Sequence, residues 1–541
     1  MLKQKLLATC TMAIGLTFLM AANANTITLV TKGASVNGAM LLSCSNEGFK
    51  LDPSLAYIKA KKFKADSLYN VYPEVSVVGE NKAFNLSYEP RLVDPKLSKD
   101  YDYQNLDPTL PLAKIAQVDN TYAYLDADSG VLNEHGLAIC LAQNQSALFD
   151  KVAIEDHVGV FCAQSLSKIV LQRCKTALEA VHLIGTLIDN YGLYGTGASI
   201  VVADYNEAYL IEMLPFYDKK SGAHDSLWIA KKITDGTFLV VADSFLIRSI
   251  DKEDTSLIFN QDLIKKLEYL KLLKTNEKGF ADWAMSVQAK ELYPYYSLRR
   301  IWRAFDLVAP SLKLKPYVKD YFHAYPLSVV PEKKLCLQDL MMLHRDTFAG
   351  TKFDASTKDS AGFFDSPYTY DVYESERAFN NASVTYTYID ELNTQYPSPI
   401  AWFALNTPAE NSFAPLTVSE LPDAYTKVSR TNYDKSKFWW SSTLVSTLTK
   451  AYYSSMIDIV KVKAMESEQK AFDLISEYQN VSCKDFVSLL NANAILLVNK
   501  WHNLYQSLLE IHDNGYKLRY ADGHYPKFTP VDKYQKGTKN D

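Results

Sequence analysis

Apolar and polar positions near the start of the chain are arranged as in β-strands. Residues 26–31 and 39–44 form two such runs, and the segment that joins them ends in Asn37-Gly38, a dipeptide that strongly favours a tight hairpin turn. The pattern therefore predicts a β-hairpin made of these two runs.

Similar patterns predict further strands and a helix in the first half of the chain. Apolar residues recur at helical spacing between residues 165 and 190, and Gly192 is expected to end that helix. Antiparallel strands beside a long helix predict an α+β fold in which helices cover an antiparallel sheet. The predicted strand pairs are 122–125 with 137–142, 199–204 with 208–212, and 228–233 with 237–242.

The second half of the chain has a different character. Beyond about residue 255 helical patterns dominate, separated by loops rich in Pro and Tyr, and no Gly/Ser-rich or charged linker divides the chain. We therefore predict a core at 25–255, a helical C-terminal extension packed on it at 256–531, and a disordered tail at 532–541. The helical patterns cover 260–310, 335–348 and 437–515.

The N-terminus has the three parts of a secretory signal. Lys3 and Lys5 precede an apolar stretch at 6–20, and small residues for signal peptidase follow at 22–24. We predict that residues 1–24 are a signal peptide and that the protein is exported, to the periplasm or the medium. A membrane anchor is the less favoured alternative because the apolar run is too short to span a bilayer, and no other stretch could span one.

Composition narrows the classes of function. The chain has 541 residues, is 48% hydrophobic and carries a net charge of −5 without a long basic run, so nucleic acid is not an expected partner. The nine histidines are scattered without an HExxH motif, so no metal and no cofactor are expected. The six cysteines beyond the signal peptide show no CxxC spacing, and isolated buried thiols are the default interpretation: Cys44, Cys140, Cys162, Cys174, Cys336 and Cys483.

A series of motifs along the chain resembles one known family. The motifs lie at 28–38, 133–139, 191–212, 228–236, 297–312, 325–331, 345–346, 350–351, 362–367, 376–377 and 439–440. In this order and spacing they resemble the dipeptidase family of N-terminal-nucleophile cysteine hydrolases, the group of bacterial dipeptidase A and the secernins.

The resemblance implies a fold and a chemistry. The fold is an αββα sandwich of two antiparallel sheets between helical layers, assigned to residues 25–255. The chemistry is hydrolysis of dipeptides: the first residue of the mature chain attacks the amide carbonyl, its own α-amine is the base, and an oxyanion hole holds the intermediate. The expected partner is a dipeptide or short peptide, and relatives with this fold commonly form homo-oligomers.

At the positions where the family carries its catalytic groups, this sequence has other residues. The nucleophile position holds Asn25, whose amide is not a usable nucleophile, and the oxyanion-hole position holds Asp243, an acceptor where a donor is needed. A carboxylate is kept at Glu47. Gln143 and Arg300 fall at substrate-binding positions; for Arg300, pairing with a substrate carboxylate and a salt bridge inside the helical layer both stay open.

Three interpretations of function follow. The resemblance implies an exported dipeptidase. Two alternative nucleophiles could preserve activity: Thr26, if the mature chain begins there, and Cys44 on the partner strand of the first hairpin. The non-enzymatic alternative is a catalytically silenced protein, a pseudoenzyme that binds a peptide or amino acid without hydrolysis.

Overall fold

The structure is a computed structural model, and parts of the chain lie outside the residues that it describes. It describes residues 25–48, 51–73, 91, 93–101, 110–148, 159–218, 223–289, 295–319, 321, 324–357, 361–368, 377–513, 516–521 and 524–530. The predicted signal peptide at 1–24 and the predicted disordered tail at 532–541 fall outside these residues, and both stay predictions.

Strands occur along most of the described chain. They are β1 (Thr26–Val30), β2 (Met40–Glu47), β3 (Ala56–Ile58), β4 (Leu68–Val71), β5 (Ala113–Ala116), β6 (Tyr124–Asp126), β7 (Gly130–Asn133), β8 (Ala138–Asn144), β9 (Gly197–Ala203), β10 (Ala208–Asp218), β11 (Ala223–Lys232), β12 (Phe238–Ala242), β13 (Ser249–Ile250), β14 (Leu257–Phe259), β15 (Ala281–Asp282), β16 (Ser328–Val329), β17 (Val384–Leu392), β18 (Ile400–Leu405), β19 (Ala414–Thr417), β20 (His512–Asp513), β21 (Tyr516–Ala521) and β22 (His524–Pro530).

Among the described residues the α-helices lie in two groups, one between β8 and β9 and the other after β14. They are α1 (Ala163–Arg173), α2 (Ala177–Tyr191), α3 (Leu263–Tyr269), α4 (Trp283–Val287), α5 (Tyr295–Val308), α6 (Leu337–His344), α7 (Phe438–Ala451), α8 (Tyr453–Tyr478) and α9 (Cys483–Ile511). None of the described helices combines the length and the apolar character needed to cross a membrane.

Two large antiparallel sheets form the centre of the molecule. The first sheet has the strand order β16-β12-β1-β2-β17-β18-β19, and the second has the order β14-β11-β10-β9-β8-β7-β6-β3. In the first sheet Thr26 pairs with Ser45 and Val30 with Leu41, which confirms the hairpin predicted from the Asn-Gly turn. In the second sheet β9 pairs with β10, which confirms the strand pair predicted at 199–212.

Two other predicted strand pairs are wrong. The strand β7 lies between β6 and β8, so the runs at 122–125 and 137–142 do not pair directly. The strands β11 and β12 belong to different sheets. The turn between them docks on the first hairpin, where the backbone nitrogen of Gly33 donates to Asp235 Oδ1 at 2.8 Å, and from there β12 pairs with β1. A hairpin pattern does not show that a turn can cross from one sheet to the other.

The helix predicted at 165–190 is two helices. The chain is extended at Cys174 and Thr176, and Thr176 caps the second helix by accepting a hydrogen bond from the Glu179 backbone nitrogen. Glu179 in turn accepts from the Thr176 backbone nitrogen, which completes a capping box. This Thr-x-x-Glu signal is visible in the sequence and marks the break. The predicted end of the second helix at Gly192 is confirmed, with φ of 74°.

Apolar side chains place the sheets and helices in layers. Ile27 and Leu42 of the first sheet and Val201 of the second belong to one continuous buried cluster. On the other face of the second sheet, Ile139 and Ile184 share a second cluster with side chains of α1 and α2. The molecule is therefore an α+β protein with antiparallel sheets and packed helices, as the sequence predicts.

The segment between the second and third predicted helical regions contains strands that the sequence did not reveal. The strands β17, β18 and β19 complete the first sheet beside β2, so the core predicted at 25–255 lacks part of its own sheet. All nine residues of β17 are buried, on both faces, although Thr387, Asp390 and Glu391 are polar. Polar residues on a strand buried on both faces remove the alternation that predicts strands.

Candidate functional site

Asn25, the predicted nucleophile position, joins the two sheets at the start of β1. Its side-chain nitrogen donates to the carbonyl oxygen of Leu141 on β8 at 2.9 Å. Its side-chain oxygen accepts from the Glu47 backbone nitrogen at 3.2 Å, and its own backbone nitrogen donates to Asp243 Oδ1 at 3.1 Å. Asn25 is 2% exposed. Both polar atoms of its side chain therefore serve contacts within the protein.

Strand pairing explains why these residues meet. Thr26 pairs with Ser45 on one side and with Ala242 on the other, so the beginning of β1 lies between the ends of β2 and β12. Glu47 and Asp243 occupy those two ends. Asp243 has a φ of 51°, in the left-handed region that Asp tolerates better than most residues, and its carboxylate there contacts the start of β1.

Four charged side chains form an ionic cluster beside Asn25, made of Glu47, Asp243, Arg300 and Arg377. Arg300 Nη2 donates to Asp243 Oδ2 at 2.5 Å, and its Nη1 lies 3.5 Å from Glu47 Oε1. Arg377 Nη1 donates to Glu47 Oε2 at 2.8 Å. The side chains of Arg300 and Glu47 have no exposed area. With two carboxylates and two guanidinium groups, the cluster has no net formal charge.

Burial and charge act in opposite directions on the two carboxyl groups. Burial raises the pKa of Glu47, and the guanidinium groups of Arg377 and Arg300 oppose that rise. Burial likewise raises the pKa of Asp243, and Arg300 opposes it. The charged state of both carboxylates therefore depends on the arginines that contact them.

The hydroxyl of Thr26, the predicted alternative nucleophile, lies against the same cluster. Thr26 Oγ1 accepts a hydrogen bond from Arg300 Nη1 at 2.5 Å. Successive residues of a strand point to opposite faces, so the Asn25 side chain reaches the second sheet and the Thr26 side chain reaches α5. A shift of the nucleophile by one residue therefore changes the face from which it would attack.

Cys44, the other alternative nucleophile, lies beneath Asn25. Its Sγ is 3.7 Å from the carbonyl oxygen of Leu141, the group that also accepts from the Asn25 side chain. Cys44 is 1% exposed and its neighbours are the Cys140 thiol and the Tyr388 side chain. Burial raises the pKa of Cys140 well above its usual value. The thiol of Cys44 is close to the start of β1 but is covered.

The structure adds three residues to the ionic cluster. Gln143 is half-buried on β8, on the face that Leu141 presents to the helices. Sequence reasoning missed Arg377, Asn381 and Tyr296: Asn381 Nδ2 donates to Glu47 Oε2 at 3.0 Å, and the Tyr296 ring lies 4.7 Å from the Arg377 guanidinium carbon. The one available signal was Glu376-Arg377 among the family motifs.

The side chains of the ionic cluster are suited to polar recognition. Nowhere in the described ranges do three or more His, Cys, Asp or Glu side chains come together as they would around a metal ion. What the cluster offers a ligand is guanidinium and amide donors together with carboxylate acceptors, which are the groups that bind the charged ends of small peptides.

Curated relatives of the chain are named as dipeptidases. The chain is 23% identical over 310 residues to "Dipeptidase" of Bifidobacterium longum (strain NCC 2705), a match that covers 54% of each protein. It is 24% identical over 231 residues to "Probable dipeptidase" of Latilactobacillus sakei, covering 42% of this chain and 46% of the relative. It is 22% identical over 350 residues to "Probable dipeptidase B" of Lactococcus lactis subsp. lactis (strain IL1403), covering 62% and 65%. The chain thus spans about half to two thirds of the length of these relatives.

The model of one protein family matches most of the chain. The match to Peptidase family C69 runs over residues 100–466. Asp243, Arg300 and Arg377 lie within that range, whereas Asn25 and Glu47 precede it. With a family model matching well over half of its length, this chain belongs to Peptidase family C69.

Proposed function

We propose that this protein binds dipeptides at the ionic cluster and that Asn25 stands where a dipeptidase of this kind has its nucleophile. The fold that we propose is the αββα sandwich of N-terminal-nucleophile hydrolases, whose first residue begins a central strand next to the oxyanion hole. The position of Asn25 at the start of β1, between the ends of β2 and β12, supports this assignment. The names of the curated relatives support dipeptides as the ligand class.

One observation carries the proposal of binding without hydrolysis at this position. The side-chain oxygen of Asn25 accepts a hydrogen bond from the Glu47 backbone nitrogen, and its side-chain nitrogen donates to the Leu141 carbonyl oxygen. A carboxamide is a poor nucleophile even when free, and this one is held by both sheets. Asp243 adds an acceptor where a developing oxyanion needs a donor. The geometry suits a site that can bind a peptide but has no group to attack its carbonyl.

We also propose that residues 1–24 are removed on export, which leaves the α-amine of Asn25 free. The short distance from the Asn25 nitrogen to Asp243 Oδ1 supports this, because a free ammonium group there would form an ion pair with the carboxylate. The intact mass of the protein recovered from a secreting host tests the processing. A chain that keeps the leader, or that begins elsewhere, contradicts it.

The experiment for the proposed function combines a binding and a turnover assay on the processed protein. Dipeptide binding is followed by the shift of the thermal unfolding midpoint, since a ligand at 100 times its Kd stabilises the folded state by about 2.7 kcal/mol. Turnover is followed by release of free amino acids. We expect stabilisation without release. Failure of every dipeptide to stabilise the protein overturns the binding proposal, and sustained release overturns the loss of hydrolysis.

Hydrolysis from Thr26 is the second candidate function. The observation that favours it is the contact between Thr26 Oγ1 and Arg300 Nη1, because an adjacent cation favours the alkoxide form of a hydroxyl. It requires a mature chain that begins at Thr26. Thr26→Ser would then retain activity and Thr26→Val would lose it, whereas activity unchanged by Thr26→Val excludes this route.

A further inference from the structure

We infer that Arg377 is the residue that binds the α-carboxylate of a bound peptide, and that it thereby sets a preference for ligands with a single residue after the bound carbonyl. The inference rests on the proposed function and deepens it. The sequence motif Glu376-Arg377 and the position of Arg377 in the ionic cluster suggested the residue.

Arg300, which falls at a predicted substrate-binding position, already has hydrogen-bond partners within the protein. Its Nη1 donates to Thr26 Oγ1, and its Nη2 donates to Asp243 Oδ2 and to the carbonyl oxygen of Tyr296. Its Nε is shielded from solvent, and the residue has no exposed area. Arg300 therefore forms a salt bridge, with Asp243 after β12 and not inside the helical layer as one of the two sequence interpretations had it.

The guanidinium group of Arg377 has N–H donors that are not used by the described residues. Among the described residues its guanidinium hydrogen-bonds only to Glu47 Oε2, whereas an arginine carries five N–H donors. Arg377 is 7% exposed, and its guanidinium carbon lies over the half-buried Tyr296 ring. Because a guanidinium group has five N–H donors, one that uses a single donor within the protein can bind a carboxylate through two of the others.

The charge of the site also favours an anionic group. The two arginines and the two carboxylates of the cluster cancel. An α-ammonium group at Asn25, which the processing proposal supplies, adds one positive charge next to Asp243. Every peptide with a free C-terminus carries a carboxylate, so that carboxylate is the part of the ligand that a site with this balance would attract.

The spacing limits how far the carboxylate can be from the bound carbonyl. Asn25 contacts the Glu47 backbone, and the Glu47 carboxylate contacts Arg377. Glu47 thus contacts both Asn25 and Arg377, so a ligand that places a carbonyl beside Asn25 and its carboxylate on Arg377 must carry the two groups close together in its chain. A dipeptide meets this condition, whereas a tripeptide bound through its first carbonyl places its carboxylate one residue too far.

The test compares free acids with amides. The probes are alanyl-alanine and alanyl-phenylalanine, each as the free acid and as the C-terminal amide, and trialanine. Affinities for the processed full-length protein are measured by titration calorimetry. We expect the wild-type protein to bind the acids at least tenfold more tightly than the amides and than trialanine. Arg377→Gln should reduce the difference between acid and amide to less than threefold, and Arg377→Lys should give an intermediate value.

Controls separate this inference from folding and from the proposed function. Arg303→Lys is the control: Arg303 is a buried arginine on α5 that pairs with Asp346 at 2.7 Å. This substitution should leave the preference for free acids over amides unchanged. If Arg377→Gln fails to fold, Glu47→Gln/Arg377→Gln removes both charges of the pair and takes its place. A preference for acids that survives the loss of Arg377 overturns the inference alone. If neither acid nor amide binds the wild-type protein, the proposed function is wrong and the inference falls with it.

Discussion

The backbone nitrogen of Asn25 lies 3.1 Å from Asp243 Oδ1, although the two residues are 218 positions apart in the chain. If Asn25 is the first residue of the mature protein, this contact is an ion pair between an ammonium and a carboxylate group. A carboxylate at this distance favours the protonated amine, so the amine is a poor acceptor for the proton of an attacking group. Asp243 would therefore give a second reason for the loss of hydrolysis, besides the absence of a thiol at position 25.

Restoring the thiol alone should not restore hydrolysis. We expect Asn25→Cys to stay at the background rate, because Asp243 keeps the amine protonated and opposes a negative charge on the intermediate. Asn25→Cys/Asp243→Asn should release amino acids from dipeptides at least a hundredfold faster than the single variant, in line with the effect of one oxyanion-hole donor. Asn25→Ala/Asp243→Asn is the matched control without a nucleophile. Equal activity of the single and double cysteine variants would show that Asp243 does not block the chemistry.

The ionic cluster should also support the folded state. Glu47 is buried between Arg300 and Arg377, and its removal leaves buried positive charge without its partner. We expect Glu47→Ala to lower the free energy of unfolding in urea by about 3–5 kcal/mol. Glu420→Ala is the control: Glu420 pairs with Lys99 at the surface with its side chain 60% exposed, and its removal should leave the free energy of unfolding nearly unchanged.

Local signals predicted the parts of the fold that depend on neighbours in the chain. The hairpin of β1 and β2 follows from the Asn-Gly turn, and the end of α2 follows from Gly192. The partners of those strands could not be predicted, because β17 comes from more than 330 residues beyond β2 and its buried polar residues mask the strand pattern. The same reason hid Arg377, whose contact with Glu47 spans 330 positions.

The candidate site was predicted through the resemblance and not through periodicity. Asn25, Glu47, Asp243 and Arg300 do lie together, which the family pattern led us to expect. Gln143 is half-buried on the face of β8 that carries Leu141 and is turned to the helices, and alternation along the strand sets that face.

The covered position of Cys44 leads to a prediction about thiol reactivity. In the folded protein we expect iodoacetamide at pH 8 to modify Cys483, which is exposed, much faster than Cys44 and Cys140, which are 1% exposed. Thiolates are the reactive form, and burial raises the pKa of Cys140 well above its usual value. Peptide mapping by mass spectrometry after a timed reaction measures each site, with urea-unfolded protein as the control for full reactivity. Rapid modification of Cys44 in the native protein would instead support Cys44 as the alternative nucleophile.

A buried histidine at the end of α6, in contact with the first sheet, should make stability depend on pH in the acid range. His344 Nε2 lies 2.8 Å from Ser43 Oγ, and burial lowers the pKa of His344 to about 3, against about 6.5 in the unfolded chain. Between these two values the unfolded chain binds a proton that the folded chain does not, so the free energy of unfolding falls as the pH falls from 6.5 towards 3. Above pH 6.5 the histidine has no effect.

The size of this effect follows from the difference between the two pKa values. Going from pH 7.5 to pH 5, the histidine should cost the wild-type protein about 2 kcal/mol of unfolding free energy. His344→Gln keeps a side chain that can hydrogen-bond to Ser43 but does not titrate. The fall in its unfolding free energy between pH 7.5 and pH 5 should therefore be smaller than that of the wild type by about 2 kcal/mol. At pH 7.5 the variant should be less stable than the wild type. The exposed His182 provides the control variant His182→Gln, which should retain the wild-type pH dependence. Urea unfolding at the two pH values measures all three proteins, and a slope in His344→Gln equal to that of the wild type would place the acid sensitivity in other groups.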